Sequence, residues 1–470
     1  MTTLAQRPAA VRAAAPARPR SRARRDAAVR LAAAVGLWAG LLVVTYWWVA
    51  GGGLQDLTGW ASGLTSAGRI TGLVSADLLL VQVLLMARLP FLEPAFGQDR
   101  LARIHRVVGF TSFTLMVAHI ALVTWGYAAG RLSATPGTLW TLVRDYPGMM
   151  LALGGTAALV MVVVTSIRSA RGRLRYESWH LLHLYAYLGV GLALPHQLWT
   201  GQELMSSRGA SYYWWSLWGA AAVAVVVFRL GLPAWRNLRH GLRVTSVVPE
   251  GPGVASVYVT GRALDRLRLE SGQFFTWRFL TGPGWSRAHP YSVSAAPDGH
   301  SLRVTVKGLG DGSAAVAGLH PGTRVLVEGP YGRLSARARA GSGGVVLVAA
   351  GVGITPLRAL VEDLDYAPGR ATLLYRYSGQ PLFADELRVL ARERGVHVRW
   401  LPGRRSARGG WLPADADHLD PVHVLRGWVP DVAFCDVYVC GPEPWAADVR
   451  RTALAAGTPA EQIHLESFGW

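Results

Sequence analysis

Two apolar segments, each carrying a pair of histidines, constrain this chain more than any other feature. His105 and His119 lie in HRVVGFTSFTLMVAH, and His183 and His196 lie in HLYAYLGVGLALPH. On helices, each pair is separated by roughly 20 Å along the axis, against about 30 Å for the apolar core of a bilayer. Two such helices side by side hold one histidine pair near each membrane face. A lone histidine on an apolar helix is usually a satisfied core residue. Four in two matched pairs exceed what packing explains, because ionisable side chains inside a membrane are expensive and functional by default. Two facing imidazoles are the axial ligand set of a haem iron. The spacing therefore predicts two stacked b-type haems, with His105, His119, His183 and His196 as metal ligands. On ideal helices the first pair sits about 40° apart and the second about 140° apart. The second helix must then be wound irregularly, and Pro195, Gly189 and Gly191 offer the means. His180 competes with His183 for the ligand role.

Composition agrees with a membrane part joined to a soluble part: 51% of residues are hydrophobic, yet the formal net charge is +19. Lys307 is the sole lysine, and much of the arginine flanks apolar segments, which argues against nucleic acid as the partner. No CxxCH occurs, so c-type haem attachment is not expected. Residues 1–30 read as a disordered basic tail. The run 31–50 reads as the first membrane helix; a signal peptide is the rival reading, but no small-residue cleavage site interrupts it. Further spans are expected at about 68–88, 105–126, 148–167, 180–199 and 212–230, the last ended by Gly231 and Pro233. Arg88, Arg100, Arg103 and Arg106 cluster in one connection, and Arg168, Arg171, Arg173 and Arg175 in another. By the positive-inside rule these lie in the cytoplasm, with the N-terminus and everything after the sixth helix. The pairing follows: His105 with His183 at the inner side, His119 with His196 at the outer. Arg69 opens the second helix on the outer side, either snorkelling to the interface or pairing with a haem propionate.

From Leu242 short alternating strands take over, punctuated by turn residues, and predict a small antiparallel β-barrel. From about Gly343 buried strands alternate with helices, which predicts a parallel α/β domain. The expected fold is a six-helix transmembrane bundle over 31–237, an antiparallel barrel over 240–337 and an α/β parallel-sheet domain over 340–470.

Several motifs in the soluble half resemble those of the transmembrane ferric reductase and NADPH oxidase superfamily. His289-Pro290-Tyr291-Ser292 is similar to its FAD motif, in which the soluble relatives usually carry Arg at the first position. Lys307 through Ser313, with Gly312, is similar to its flavin-pyrophosphate turn, and VEGPYG at 327–332 to the strand closing its barrel. Gly351-Val352-Gly353-Ile354-Thr355-Pro356 resembles its nicotinamide-nucleotide loop, where glycines let the backbone approach a pyrophosphate at a helix N-terminus. Cys440-Gly441-Pro442-Glu443 resembles the segment that lies near the nicotinamide ring; outside that resemblance Cys440 reads as a small buried hydrophobe. The family ends on an aromatic that stacks on the flavin. Phe468 matches the usual position and Trp470 extends past it, so either ring is a candidate. In the membrane half, RLARIHRVVG with His119 and YESWHLLHLYAY with His196 resemble the two haem-binding helices, and Arg69 matches an outer-side arginine.

The resemblance implies an NAD(P)H-dependent oxidoreductase of the plasma membrane. Electrons pass from cytosolic NAD(P)H through FAD and two haems to a small extracytoplasmic acceptor, a ferric chelate or dioxygen. A quinone or a partner redox protein is the alternative acceptor, and a non-enzymatic membrane haem carrier the remote one. Arg376 follows a strand where a 2′-phosphate is expected, with Ser378, Arg404 and Arg405 nearby, which favours NADPH over NADH.

Overall fold

The computed structural model describes residues 19–174, 176–205, 207–282, 285, 287–341, 343–406 and 409–467. The N-terminal half is helical: α1 (Pro19–Ala50), α2 (Trp60–Met86), α3 (Gln98–Tyr127), α4 (Met149–Ser166), α5 (Tyr176–Trp199) and α6 (Arg208–Ala224). Five described helical stretches are long and apolar enough to cross a membrane: 24–50, 60–86, 100–127, 149–166 and 208–240. The expected count was six. The remaining helix, α5, carries His183 and His196 and runs 24 residues with Pro195 inside it. Its own tyrosines, histidines and glutamate dilute its hydropathy.

Two boundaries differ from expectation. Residues 19–30 of the expected disordered tail are helical and continue into the first span. Alanine and arginine are good helix formers, and a helix already nucleated by an adjoining span propagates cheaply into them. Residues 1–18 lie outside the described residues. The last span does not end at Gly231 and Pro233. It passes through a π-helical stretch, Val225–Gly231, into α7 (Leu232–His240). Pro233 falls in the first turn of α7, where a missing N–H is harmless. The true stop is Gly241, at φ 52, whose N–H bonds the Asn237 carbonyl at 2.9 Å.

Helices α2 and α3 pack along a seam of small residues in one antiparallel register. Ser75 Oγ donates to the Ser112 carbonyl at 2.7 Å, and Ser112 Oγ donates back to the Ser75 carbonyl at 2.9 Å. A Cβ on Gly68 would lie 2.6 Å from Val123, and one on Gly109 2.7 Å from Gln82. Helices α4 and α5 repeat the arrangement, with Gly155 against the Gly189 carbonyl at 2.8 Å from its would-be Cβ. Small residues are what let membrane helices approach this closely.

The first soluble domain holds β1 (Arg243–Gly251), β2 (Val254–Thr260), β3 (Phe274–Phe279), β4 (His289–Ser292), β5 (Ser301–Lys307) and β6 (Val325–Tyr331). They form two three-stranded antiparallel sheets, β1-β2-β5 and β4-β3-β6, and not the closed barrel expected. Among the described residues, only isolated bridges, Arg243 with Arg324 and Val293 with Val304, pair strands across the two sheets. β4 is four residues long, and Pro290 within it has no N–H to extend a ladder. Both sheets still share one core, including Val257, Val259, Phe275, Trp277 and Val304.

The second soluble domain is the expected parallel sheet, in the order β11 (Ile463–Ser467), β10 (Asp436–Gly441), β7 (Val345–Ala350), β8 (Ala371–Tyr377), β9 (Val396–Pro402). Apolar cores lie on both faces, as an all-parallel sheet requires. Helices α8 (Ile354–Asp363), α9 (Ala384–Arg394), α10 (Pro421–Trp428) and α11 (Glu443–Ala455) connect the strands.

Replacing Gly155 by Val forces a branched side chain against the α5 backbone. A destabilisation of about 1–3 kcal/mol is expected, as for other overpacked sites, read as a lower Tm of the detergent-solubilised protein. An unchanged Tm would contradict the close crossing.

Candidate functional site

The α2–α3 seam places the first two histidines. His119 Nδ1 lies 2.8 Å from the Gly68 carbonyl, and His105 Nδ1 lies 3.3 Å from the Gln82 carbonyl. A backbone carbonyl only accepts, so each Nδ1 carries the proton and each Nε2 presents a lone pair. This is the tautomer a metal-binding imidazole adopts, with its second nitrogen held by an outer partner. Gly72 makes room: a Cβ there would lie 2.5 Å from His119 Nδ1.

His183 is held the same way by a side chain. Its Nδ1 lies 3.3 Å from Ser166 Oγ, which donates its own proton to the Val162 carbonyl and accepts the Trp179 Nε1–H at 3.2 Å. With its single proton committed, Ser166 accepts from His183, and Nε2 is again the free nitrogen. His196 differs. Its Nδ1 is buried with no hydrogen-bond partner among the described residues, and its backbone packs against Gly148, whose Cβ would sit 2.7 Å from the His196 nitrogen.

The His105 and His183 ring centroids are 6.1 Å apart, with ring planes at 62°. With a metal–imidazole bond of about 2.0 Å and about 1.1 Å from nitrogen to centroid, rings on opposite sides of one ion sit about 6.2 Å apart. The inner pair fits a shared iron. Among the described residues no three His, Cys, Asp or Glu side chains are grouped to hold a metal ion. At the other end of α2, Arg69 pairs with Asp56 at 2.5 Å and Glu203 at 3.1 Å. It lines a cavity of about 320 Å³ with Ser62, Thr65 and Tyr127.

In the soluble half, β4 carries His289, Pro290, Tyr291 and Ser292, with His289 and Tyr291 on one face and Pro290 and Ser292 on the other. The His289 and Tyr291 rings stack at 5.8 Å and 19°. A Cβ on Gly312 would lie 2.7 Å from His289 Nε2, so the glycine turn after Lys307 is pressed against the same histidine. Ser313 Oγ is absorbed in that turn, accepting from the Leu309 and Gly310 amides. Tyr291 Oη and Ser292 Oγ are buried with no partner among the described residues. Such orphaned hydroxyls suit a bound polar group, as FAD would supply. Burial pushes the Tyr291 hydroxyl up to about 12, so it stays a proton donor at physiological pH.

The strand after this motif is tied to the nucleotide domain. Arg303, 5% exposed, donates to the Ser294 carbonyl at 2.6 Å and pairs with Glu386 at 2.8 Å, which Arg358 also reaches at 2.8 Å. Burial alone would raise the Glu386 carboxyl; the hydrogen bonds and charges of the two arginines outweigh it and hold it below its ordinary value.

The nucleotide-side motifs converge at the carboxyl ends of β7 and β10. Gly351 adopts φ +56, and a Cβ on Gly353 would lie 2.2 Å from the Cys440 carbonyl. Thr355 Oγ1 donates to the Val352 carbonyl at 2.9 Å, and Pro356 is buried in the first turn of α8. Gly441 packs on Trp445, while Pro442 and Glu443 start α11. The Cys440 thiol is fully buried in the core and burial pushes it well up, so the backbone of this segment, rather than the sulfur, meets Gly353. Phe468 and Trp470 lie outside the described residues. Arg376 has two buried donors, Nε and Nη1, without hydrogen-bond partners among the described residues, and its guanidinium sits 5.8 Å over Trp445. Burial and then Arg405 lower its pKa. Arg405 itself pairs with Asp448 at 2.8 Å, and Arg404 is exposed.

Residues 71–194 match the family described as the ferric reductase like transmembrane component. The chain is 33% identical over 231 residues to the ferredoxin reductase component of a 3-ketosteroid-9-alpha-monooxygenase from Mycolicibacterium smegmatis, covering 47% of this chain and 59% of that protein. It is 30% identical over 244 residues to a flavohemoprotein from Pseudomonas aeruginosa, covering 50% and 60%. The chain thus joins a stretch similar to the ferric reductase like transmembrane component to a part similar to ferredoxin reductase components and flavohemoproteins. The chain spans about three fifths of the length of these two relatives. Among solved structures, the FAD/NAD-binding domain of a Vibrio cholerae nitric oxide dioxygenase aligns over 49% of this chain and all of that one, at 23% identity and a TM-score of 0.37.

Sequence reading singled out the four histidines but missed Gly68, Gly72, Gln82 and Ser166, which aim three of them. The signal was present: Gly68, Ser75 and Gln82 on one helix and His105, Ser112 and His119 on the other each recur at seven-residue steps, the period of a packed helical seam. Gly72→Val is expected to drive His119 from its place and, like His119→Ala, to lower the haem content of the purified protein by one haem if His119 is a ligand. Pyridine haemochrome quantification checks this, and two haems per chain in either variant would contradict the assignment.

Proposed function

We propose that this chain carries electrons across the plasma membrane, from cytosolic NADPH through FAD and two b-type haems to a small acceptor outside. The observation that carries the reading is the imidazole arrangement. Three of four spaced histidines have Nδ1 committed and Nε2 free, on a membrane component joined to a reductase-type module. A flavin held there would supply hydride acceptance from a nicotinamide and one-electron transfer onward to the histidine-held irons.

The chain's own part is placement. His105 with His183 would hold the inner iron, and His119 with His196 the outer. Tyr291 and Ser292 orient the flavin through hydroxyls otherwise unpartnered, and His289, Lys307, Gly312 and Ser313 border its pyrophosphate. Gly351 and Gly353 let the nucleotide pyrophosphate approach the backbone before α8. Cys440 through Glu443 would border the nicotinamide. The arginine bias supports a cytoplasmic N-terminus and reductase module. Among the described residues, the outer connections carry only short helices, Gly53–Asp56, Leu132–Ala134, Thr135–Asp145 and Gln202–Met205. The acceptor then reaches the outer site itself, past the cavity beside Arg69. Dioxygen and a ferric chelate both fit that route.

Two tests follow. Right-side-out vesicles loaded with NADPH should reduce an impermeant ferric chelate, or generate superoxide, outside. Reduction of only a lipid-soluble quinone or an added redox protein would replace the small-acceptor reading. The unpartnered donors of Arg376 favour NADPH, and Arg376→Ala should cut the NADPH to NADH ratio of kcat/KM by about tenfold or more, the loss of one charge-assisted contact of about 1.5–3 kcal/mol. An unchanged ratio would remove the case for a 2′-phosphate site there.

A further inference from the structure

One carboxylate joins the membrane domain to the flavin-motif domain. Glu328, on β6 within VEGPYG, is 15% exposed. Its Oε1 lies 3.5 Å from Arg88 Nε and 3.4 Å from Arg229 Nη1, and its Oε2 lies 4.0 Å from Arg278 Nη1. Tyr331 Oη donates to the same Oε1 at 2.9 Å, and the Arg88 guanidinium sits 4.2 Å over the Tyr331 ring. Arg88 follows α2, Arg229 lies in the π-helical stretch, and only Arg278 belongs to the flavin-motif domain.

The backbone beside Glu328 is gripped as well. Asn237 Nδ2 donates to the Val327 carbonyl at 2.8 Å, and the Val327 amide donates to Asn237 Oδ1 at 2.8 Å. One side-chain amide thus pairs with β6 as a neighbouring strand would. Arg236 donates to the Gly329 carbonyl. Arg88, the residue after the α2 C-cap, adopts φ 63, the left-handed conformation in which helices commonly end.

The position of this contact gives it a role. Gln82, in the last turns of α2, has the carbonyl that fixes His105, and Arg88 lies six residues on, just past the end of that helix. β6 pairs with β3, and β3 pairs with β4, which carries Tyr291. Glu328 therefore couples the element that aims the inner histidine pair to the sheet that carries the flavin motif. Oppositely charged groups across an interface fix register, and misplacement by about 1 Å can slow a reaction about a hundredfold.

We propose that Glu328 is a positioning residue for electron transfer from the flavin to the His105/His183 site, acting through Arg88 and Arg229, with no part in hydride transfer. This rests on the electron path proposed above. The test is anaerobic stopped-flow absorbance of the full-length protein with NADPH, reading flavin bleaching and haem reduction separately. Hydrogen exchange of the backbone at 233–240 and 325–331 reports docking independently of haem chemistry. Glu328→Gln and Arg229→Gln should leave flavin bleaching within about twofold, slow haem reduction about tenfold or more, and increase exchange in both segments. The exchanged pair Glu328→Arg with Arg229→Glu should recover part of the haem rate. Unchanged exchange, haem reduction at the wild-type rate, or flavin bleaching slowed in parallel in Arg229→Gln would overturn the proposal. Wild-type protein whose flavin bleaches while no haem is reduced would instead sink the electron path.

Discussion

The structure depends on how closely α2 approaches α3. Gly68, Ser75 and Gln82 face His119, Ser112 and His105, each step seven residues from the last, so one register sets all three contacts. The reciprocal serine bonds sit at its middle, and the two imidazoles reach carbonyls at its ends. A helix normally keeps its carbonyls to itself. They become available to a neighbouring imidazole only where small residues bring the backbones together. Packing here decides chemistry: the seam selects the Nδ1–H tautomer and leaves the Nε2 lone pair free. The second histidine helix uses the same device with different parts, glycine contacts to α4 for approach and Ser166 for the tautomer.

The soluble half depends on a different balance. Its sheets are held by ordinary apolar cores, but its domains are joined through arginine. Arg303 and Arg358 meet Glu386 between the flavin-motif and nucleotide domains, and Arg88 and Arg229 meet Glu328 between the membrane and flavin-motif domains. Arginine stays charged when partly desolvated and offers several donors in a fixed fork, so it can satisfy a carboxylate and nearby carbonyls together. A chain with one lysine and many arginines has built its interdomain contacts from the residue suited to them.

The histidine pairs were legible because their spacing meets a fixed length, the thickness of a membrane. The parallel sheet was legible because VVLVAA and DVYVCG are buried on both faces and read as continuous apolar strands. The sheet pair mistaken for a closed barrel shows what alternation leaves open: it reports which face is buried, and does not report whether two edge strands meet. Helix ends were misjudged for a similar reason. Pro233 and Gly231 look like a stop, yet a π-helical turn carries the chain past them to Gly241. The tail before residue 31 has no apolar period, but its first described residues need only a neighbouring helix to extend. Glu328, Asn237 and Arg88 were invisible because their partners lie far along the chain, as Asn237 and Val327 do, 90 residues apart.

The central claim is that electrons cross the membrane through the histidine sites, and charge movement tests it most directly. In sealed vesicles with NADPH on the reductase side and an acceptor on the other, each transferred electron carries one charge across, worth about 2.3 kcal/mol per 100 mV of potential. A voltage-sensitive dye should report a potential that is negative on the acceptor side, builds with NADPH oxidation and is lost in His105→Ala. NADPH oxidation that reduces the acceptor without building any potential would contradict the account.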